Sequence, residues 1–190
     1  MILILFFGIA NIVFTQSVTT TIYPTASNFN SGYVKSSGTK FSDDMQVSTS
    51  TSYGRGWVQF PLSSIPSSST INSVTIIFYT FGGTSSSFSN TITGFTGDPI
   101  SMSGSTLFTT IGAGTVYNTS TWTVGSTVSP SLNIKTLAAS SFVEQQLSTG
   151  FVNFGFVRGN STLHSIYGYS NSTYKVRLEI NYTNCFNTLN

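Results

Sequence analysis

Apolar and polar residues alternate with a period of two through most of this chain, which is the mark of half-buried strands. Ser17–Tyr23 (SVTTTIY) places Val18, Thr20 and Ile22 on one face, is rich in β-branched residues, and ends at Pro24. Residues 28–39 are rich in Gly, Ser and Asn and read as a loop, and Met45–Ser48 reads as a short strand. Gly56–Leu62 (GWVQFPL) directs Val58, Phe60 and Leu62 to a core, with Trp57 and Gln59 facing away from it. Thr70–Phe81 is the longest strand signal, with Val74, Ile76 and Phe78 on one face and Thr75, Ile77 and Tyr79 on the other. Asn90–Phe95, Phe151–Arg158, Ser165–Tyr169 and Tyr174–Tyr182 follow as strands. In the last, Val176, Leu178 and Ile180 alternate with Lys175, Arg177 and Glu179, which predicts one wet face. Residues 98–131 break into short strand pieces, and Leu137–Leu147 is the one segment that reads as a helix, of one or two turns.

Many short strands separated by Gly, Ser and Pro turns predict an all-β fold, a jelly-roll-like β-sandwich with one short helix. It occupies residues 17–183 as a single domain, followed by a polar tail over residues 184–190. Residues 2–14 are almost wholly apolar but shorter than the roughly 20 residues that span a bilayer. They fit the core of a secretory signal, with cleavage near Thr15, Gln16 or Ser17. The alternative is a retained apolar strand over residues 1–16 that pairs with a neighbour's sheet edge.

Composition narrows the partners. Only 6% of residues are charged, against roughly 25% in ordinary soluble domains. The seven basic residues are scattered and form no stripe, which excludes a nucleic-acid surface. Four N-x-Ser/Thr sequons, at Asn118, Asn160, Asn171 and Asn181, mark a glycosylated secreted or cell-surface protein. A single cysteine, Cys185, excludes a disulfide scaffold within the chain.

Catalytic chemistry has little to draw on. His164 is the one histidine and reads as a solvated loop residue beside the Asn160 sequon. Five carboxylates show no sign of the facing pair that glycoside hydrolysis needs. The chain is therefore read as a non-enzyme without a cofactor. Asp43 and Asp44 are the candidate ligands for a structural calcium ion, since hard cations take oxygen ligands.

Sugar recognition uses exposed rings, whose flat apolar faces meet the C–H face of a pyranose. Aromatic residues make up 14% of the chain. The candidate carbohydrate-binding residues are Tyr53, Arg55, Trp57, Trp122, Tyr167 and Tyr169, with Tyr23 and Tyr33 as further exposed rings.

Three segments carry a family resemblance: Met45–Val47 with Gly56–Pro66 (GWVQFPLSSIP), Thr70–Thr80 (TINSVTIIFYT), and Gly150–Arg158 (GFVNFGFVR) followed by Lys175–Tyr182 (KVRLEINY). The chain resembles DNRLRE-type domains, which are related to family-96 carbohydrate-binding modules. The resemblance spans residues 17–183 and departs from the family at Pro61, where an Asp is usual. It implies a jelly-roll sandwich on secreted or cell-surface proteins, some of which bind polysaccharides. Two functions follow as expectations. One is a non-catalytic extracellular module that binds a polysaccharide or other glycan, or adheres through it. The other is a structural subunit of an extracellular fibril or matrix, built from copies of the chain by strand addition.

Overall fold

The computed structural model describes residues 13–25, 30–48, 54–83, 87–123, 131–159 and 163–187. Two antiparallel sheets face each other as an all-β sandwich. The first holds β1 (Val13–Ile22), β12 (Arg177–Asn187), β6 (Thr70–Gly83), β11 (His164–Ile166) and β4 (Met45–Val47) in that order, with β9 (Ser131–Leu137) also paired to β6. The second runs β3 (Lys40–Ser42), β2 (Ser31–Lys35), β5 (Gly54–Pro61), β10 (Phe151–Arg158), β7 (Ser87–Phe95) and β8 (Thr115–Thr123). The chain crosses between sheets at nearly every connection from β4 to β11, so each core layer is made of segments distant in sequence.

β6 organises the first sheet. Val74–Ile77 pair with β12 and with β9, so these two lie on opposite edges of β6, and β11 continues the β12 edge at Thr80. Its alternation is the one the sequence predicts. Val74, Ile76 and Phe78 point inward and are fully buried, as are Val58, Phe60, Val152, Phe154, Phe156, Leu178 and Ile180 from the facing and neighbouring strands. Each such side chain is worth about 1.5–3 kcal/mol in apolar area removed from water. Phe78 meets Phe156 edge-on at 5.4 Å, and Phe60 meets Phe154 at 6.5 Å.

Several expectations need correction. The loop expected over residues 28–39 contains β2, whose small and polar residues hide the strand period but pair in full register with β5. Within residues 98–123 the structure adds an unexpected helix, α1 (Gly104–Ala113), and the strand pieces expected there are met by one strand, β8, which includes residues 121–123. Ser103 caps α1, its Oγ accepting from the Thr106 amide at 3.2 Å, and Leu107 and Ile111, one turn apart, form its buried stripe. The predicted helix is present as α2 (Ser140–Gln146), so there are two short helices among the described residues rather than one. His164 is not a solvated loop residue. It starts β11, is 1% exposed, and stacks on Phe88. β12 runs on to Asn187, so Cys185 belongs to a strand, opposite Thr15 of β1. Residues 13–16 pair with β12 as part of β1; residues 1–12 lie outside the described residues.

The largest correction concerns the outer face of the second sheet. α1 lies across it and creates a second apolar layer of Val34, Trp57, Phe95, Leu107 and Ile111. Trp57 does point away from the main core, as its alternation requires, but that direction leads under a helix and not into water.

Candidate functional site

The described sugar-binding candidates form no single site: Arg55 and Trp57 lie on the outer face of the second sheet, Trp122 lies between the sheets, and Tyr167 and Tyr169 share the loop after β11. Trp57 is 0% exposed beneath α1, and Trp122 is 1% exposed between the sheets, packed on Phe78 at 4.7 Å and on Phe88 and Phe156 at 5.9 Å. Neither ring offers a face to a ligand, so both assignments are corrected. Arg55 shares the outer face with Trp57 and belongs to the helix packing. Its guanidinium lies 3.9 Å from the Phe108 ring and donates to the Phe108 carbonyl, and burial lowers its pKa from the usual value. Tyr53 and the Asn160 sequon lie outside the described residues. Tyr23 is 48% exposed with the Lys175 ammonium 6.0 Å above its ring, and Tyr33 stacks on Phe41 at 4.5 Å.

Tyr167 and Tyr169 lie in the loop between β11 and β12. Tyr167 stacks on Phe81 at 4.0 Å and on Tyr174 at 5.6 Å, and Tyr174 meets Tyr79 at 4.8 Å. These four half-buried rings form a row on the outer face of the first sheet.

Asp43 and Asp44 fasten the same loop. Asp44 Oδ1 accepts from the Gly168 amide at 2.9 Å, and Asp43 Oδ1 accepts from the Ser170 amide at 2.9 Å. The Ser170 hydroxyl donates to Asp43 Oδ2, and Ser31 Oγ accepts from the Tyr169 amide at 3.0 Å. Amide N–H groups turn their positive ends toward these carboxylates. Among the described residues no group of three or more His, Cys, Asp or Glu side chains gathers as a metal site. Asp43 takes a left-handed backbone, φ +86°, a conformation that Asp tolerates better than most residues.

Burial raises the Asp44 pKa, the Gly168 amide opposes the shift, and the Asp43 charge adds to it. A raised carboxyl pKa means that folding disfavours the ionised form. The cost is therefore present above the folded pKa and disappears as pH falls below the unfolded value. Asp44→Asn keeps an acceptor for Gly168 and removes the charge. It is expected to be at least as stable as the parent at neutral pH, with the difference closing on acidification through the carboxylate range. Thermal unfolding of both proteins across that range checks this; a variant less stable at every pH contradicts it.

A groove of about 510 Å³ lies between α1 and α2 at one end of the second sheet. Its walls carry Thr109 and Thr110 from α1 and Gln145 and Gln146 from α2. Phe95 also lines it, and Tyr117 and Phe142 stack 5.4 Å apart, with Phe142 edge-on to Phe154 beneath. Gly94 lies against these rings. A Cβ there would come within 2.5 Å of Tyr117 and 2.6 Å of Phe142, so only glycine admits both. Ile92 pairs with Asn118 and Thr93 with Val116, which makes Tyr117 the extra residue of a β-bulge on an edge strand. Bulges re-aim a side chain, and here the extra residue lines the groove. None of the lining side chains is charged, and burial raises the Tyr117 pKa.

The sequence reading missed this groove because it lies between two helices, one of which was unrecognised. The available signals were Ser103 three residues before Thr106, followed by Leu107 and Ile111 one turn apart.

Comparison of the chain with protein-family models gives no match, and comparison with curated proteins gives no similar sequence. Among the described residues no helix is long and apolar enough to cross a membrane.

Proposed function

We propose that this chain is a non-catalytic, extracellular carbohydrate-binding module whose ligand is a neutral glycan held in the groove between α1 and α2. The observation that carries the reading is the lining itself: the aromatic residues Phe95, Tyr117 and Phe142 beside hydroxyl and carboxamide groups, with no charge. Apolar walls with a few convergent polar groups are the usual make-up of a small-molecule site. Rings suit the C–H faces of a pyranose, and Thr and Gln side chains both donate to and accept from its hydroxyls. The lining holds no carboxylate, lysine or histidine, and burial raises the pKa of its one phenol, Tyr117, which favours binding over turnover. The resemblance to DNRLRE-type domains and the apolar N-terminal run with its sequons support a secreted setting.

Binding to an array of neutral and acidic oligosaccharides tests this. Neutral chains are expected to bind, and anionic ones to bind no better. Gln145→Ala, at an exposed position, and Tyr117→Leu are each expected to weaken binding about tenfold, which corresponds to about 1.4 kcal/mol. Preference for anionic chains, or unchanged affinity in both variants, contradicts the assignment.

A second reading has its own support. β1 pairs only with β12 among the described residues, and its ten residues (VFTQSVTTTI) include no charge and no proline. Natural edge strands are usually blunted by such residues. An unprotected edge of this length suits assembly of copies by strand addition, as in a fibril or matrix. Filaments from the purified protein that disappear on Thr19→Lys or Thr21→Pro substitution favour this reading; a monomer at high concentration counts against it.

A further inference from the structure

We infer that Asn171 carries an N-linked glycan whose first N-acetylhexosamine rests on the row of rings at Tyr174 and Tyr167. This rests on the reading that the chain is secreted through a glycosylating route.

The three described sequons differ in how their carboxamides are used. Asn181 sits on the outer face of the first sheet. Its Nδ2 donates to Thr19 Oγ1 at 2.9 Å, while its Oδ1 accepts from Asn72 Nδ2 at 2.8 Å and Ser17 Oγ at 3.2 Å. A sugar on that nitrogen disturbs a tie between β12 and β1. Asn118 Oδ1 accepts from Ser120 Oγ at 2.8 Å, and Ser120 Oγ in turn accepts from Trp122 Nε1 at 3.2 Å, so this carboxamide belongs to a relay that reaches the core. Asn171 is bonded through Oδ1, which accepts from the Thr173 amide at 3.0 Å and the Tyr174 amide at 2.6 Å. Those bonds fix the carboxamide beside Tyr174 and fall on the oxygen, whereas the sugar is attached to Nδ2.

The surroundings suit a sugar. Tyr174 and Tyr167 stack at 5.6 Å and are half-exposed, and Tyr169 lies two residues before Asn171. The loop is held by Asp43, Asp44 and Ser31, so the ring platform and the attachment point are ordered before the sugar arrives. A preorganised platform lowers the entropic cost of fixing the first residue. In the attachment, Asn171 Nδ2 forms a bond to C1 of the sugar and gives up one proton. The bond from C1 to a lipid-linked pyrophosphate breaks, and the pyrophosphate leaves with the electron pair.

The test uses the full chain secreted from a eukaryotic host, with glycopeptide mass spectrometry and thermal unfolding. Thr173→Ala removes the sequon but leaves the Asn171 side chain and both amide donors in place. After trimming to a single sugar, the parent is expected to melt about 2–4 °C above Thr173→Ala. That gain is expected to vanish in a Tyr174→Leu background, with Tyr167→Leu as the second background should the first fail to fold. An unoccupied Asn171 beside occupied sequons overturns this inference and leaves the secretory reading standing. Absence of glycan from every sequon overturns both. An occupied Asn171 whose gain survives loss of the rings also overturns the inference.

Discussion

Trp57→Ala is expected to destabilise the domain by about 3–5 kcal/mol, the range for large aromatic truncations in cores. The indole is fully buried between β5 and α1 and is the largest member of the layer formed with Val34, Phe95, Leu107 and Ile111. Gly32 on β2 lies directly against it, since a Cβ there would meet two Trp57 ring atoms at 3.0 Å. Alanine leaves a void under the helix that the rigid sheet is unable to close. The melting temperature is expected to fall by roughly 10 °C or more, with amide protection lost first in α1. A Trp57 that served as an exposed sugar platform would behave in the opposite way, losing ligand binding at unchanged stability. One denaturation curve therefore separates the sequence expectation from the structure.

Gly168→Ala is the second large effect, expected at about 2–4 kcal/mol from three hydrogen bonds worth about 1 kcal/mol each and the associated crowding. A Cβ at this position would stand 1.9 Å from the Asp43 carbonyl oxygen and 2.3 Å from its carbon. Both are backbone atoms of a tight turn that already holds Asp43 at φ +86°. The loop has to lift, and with it go the bonds from Gly168 to Asp44, Tyr169 to Ser31 and Ser170 to Asp43. Tyr167 then loses its seat on Phe81. Hydrogen exchange should show faster opening confined to residues 167–174 and the turn at Asp43. Protection equal to the parent there contradicts the account of these carboxylates as loop anchors.

The fold was legible where one face of a strand is buried and the other wet. β1, β5, β6, β10 and β12 announce themselves through Val18 and Ile22, Val58 and Phe60, Val74 to Phe78, Val152 to Phe156, and Val176 to Ile180, because a period of two is a local signal. β2 and β9 were not legible. β2 is Ser-Gly-Tyr-Val-Lys, and a Cβ on its glycine would stand 2.0 Å from the Phe41 carbonyl oxygen on β3 and 3.0 Å from the Trp57 ring on β5. α1 was obscured by composition, since Gly, Ser and Thr supply six of its 10 residues and no charge marks either end. Missing α1 then misplaced Trp57, because alternation says which side of a sheet a residue takes and not what covers that side. The site failed for the same reason. Tyr117, Thr109, and Phe142 with Gln145 come from three separate elements, β8, α1 and α2, and only the packing of α1 and α2 onto the sandwich brings them to one groove. Asp43 and Asp44 were legible as a feature, but their partners lie more than 120 residues away, so their use as loop anchors was not.

The most direct test of the central claim is an amide chemical-shift titration of the isotopically labelled domain with the tightest-binding neutral oligosaccharide. The account predicts saturable shifts at Thr109, Thr110, Tyr117, Phe142 and Gln145, with the row at Tyr167 and Tyr174 unmoved. Shifts centred on that row or on the β1 edge, with the groove silent, would contradict it.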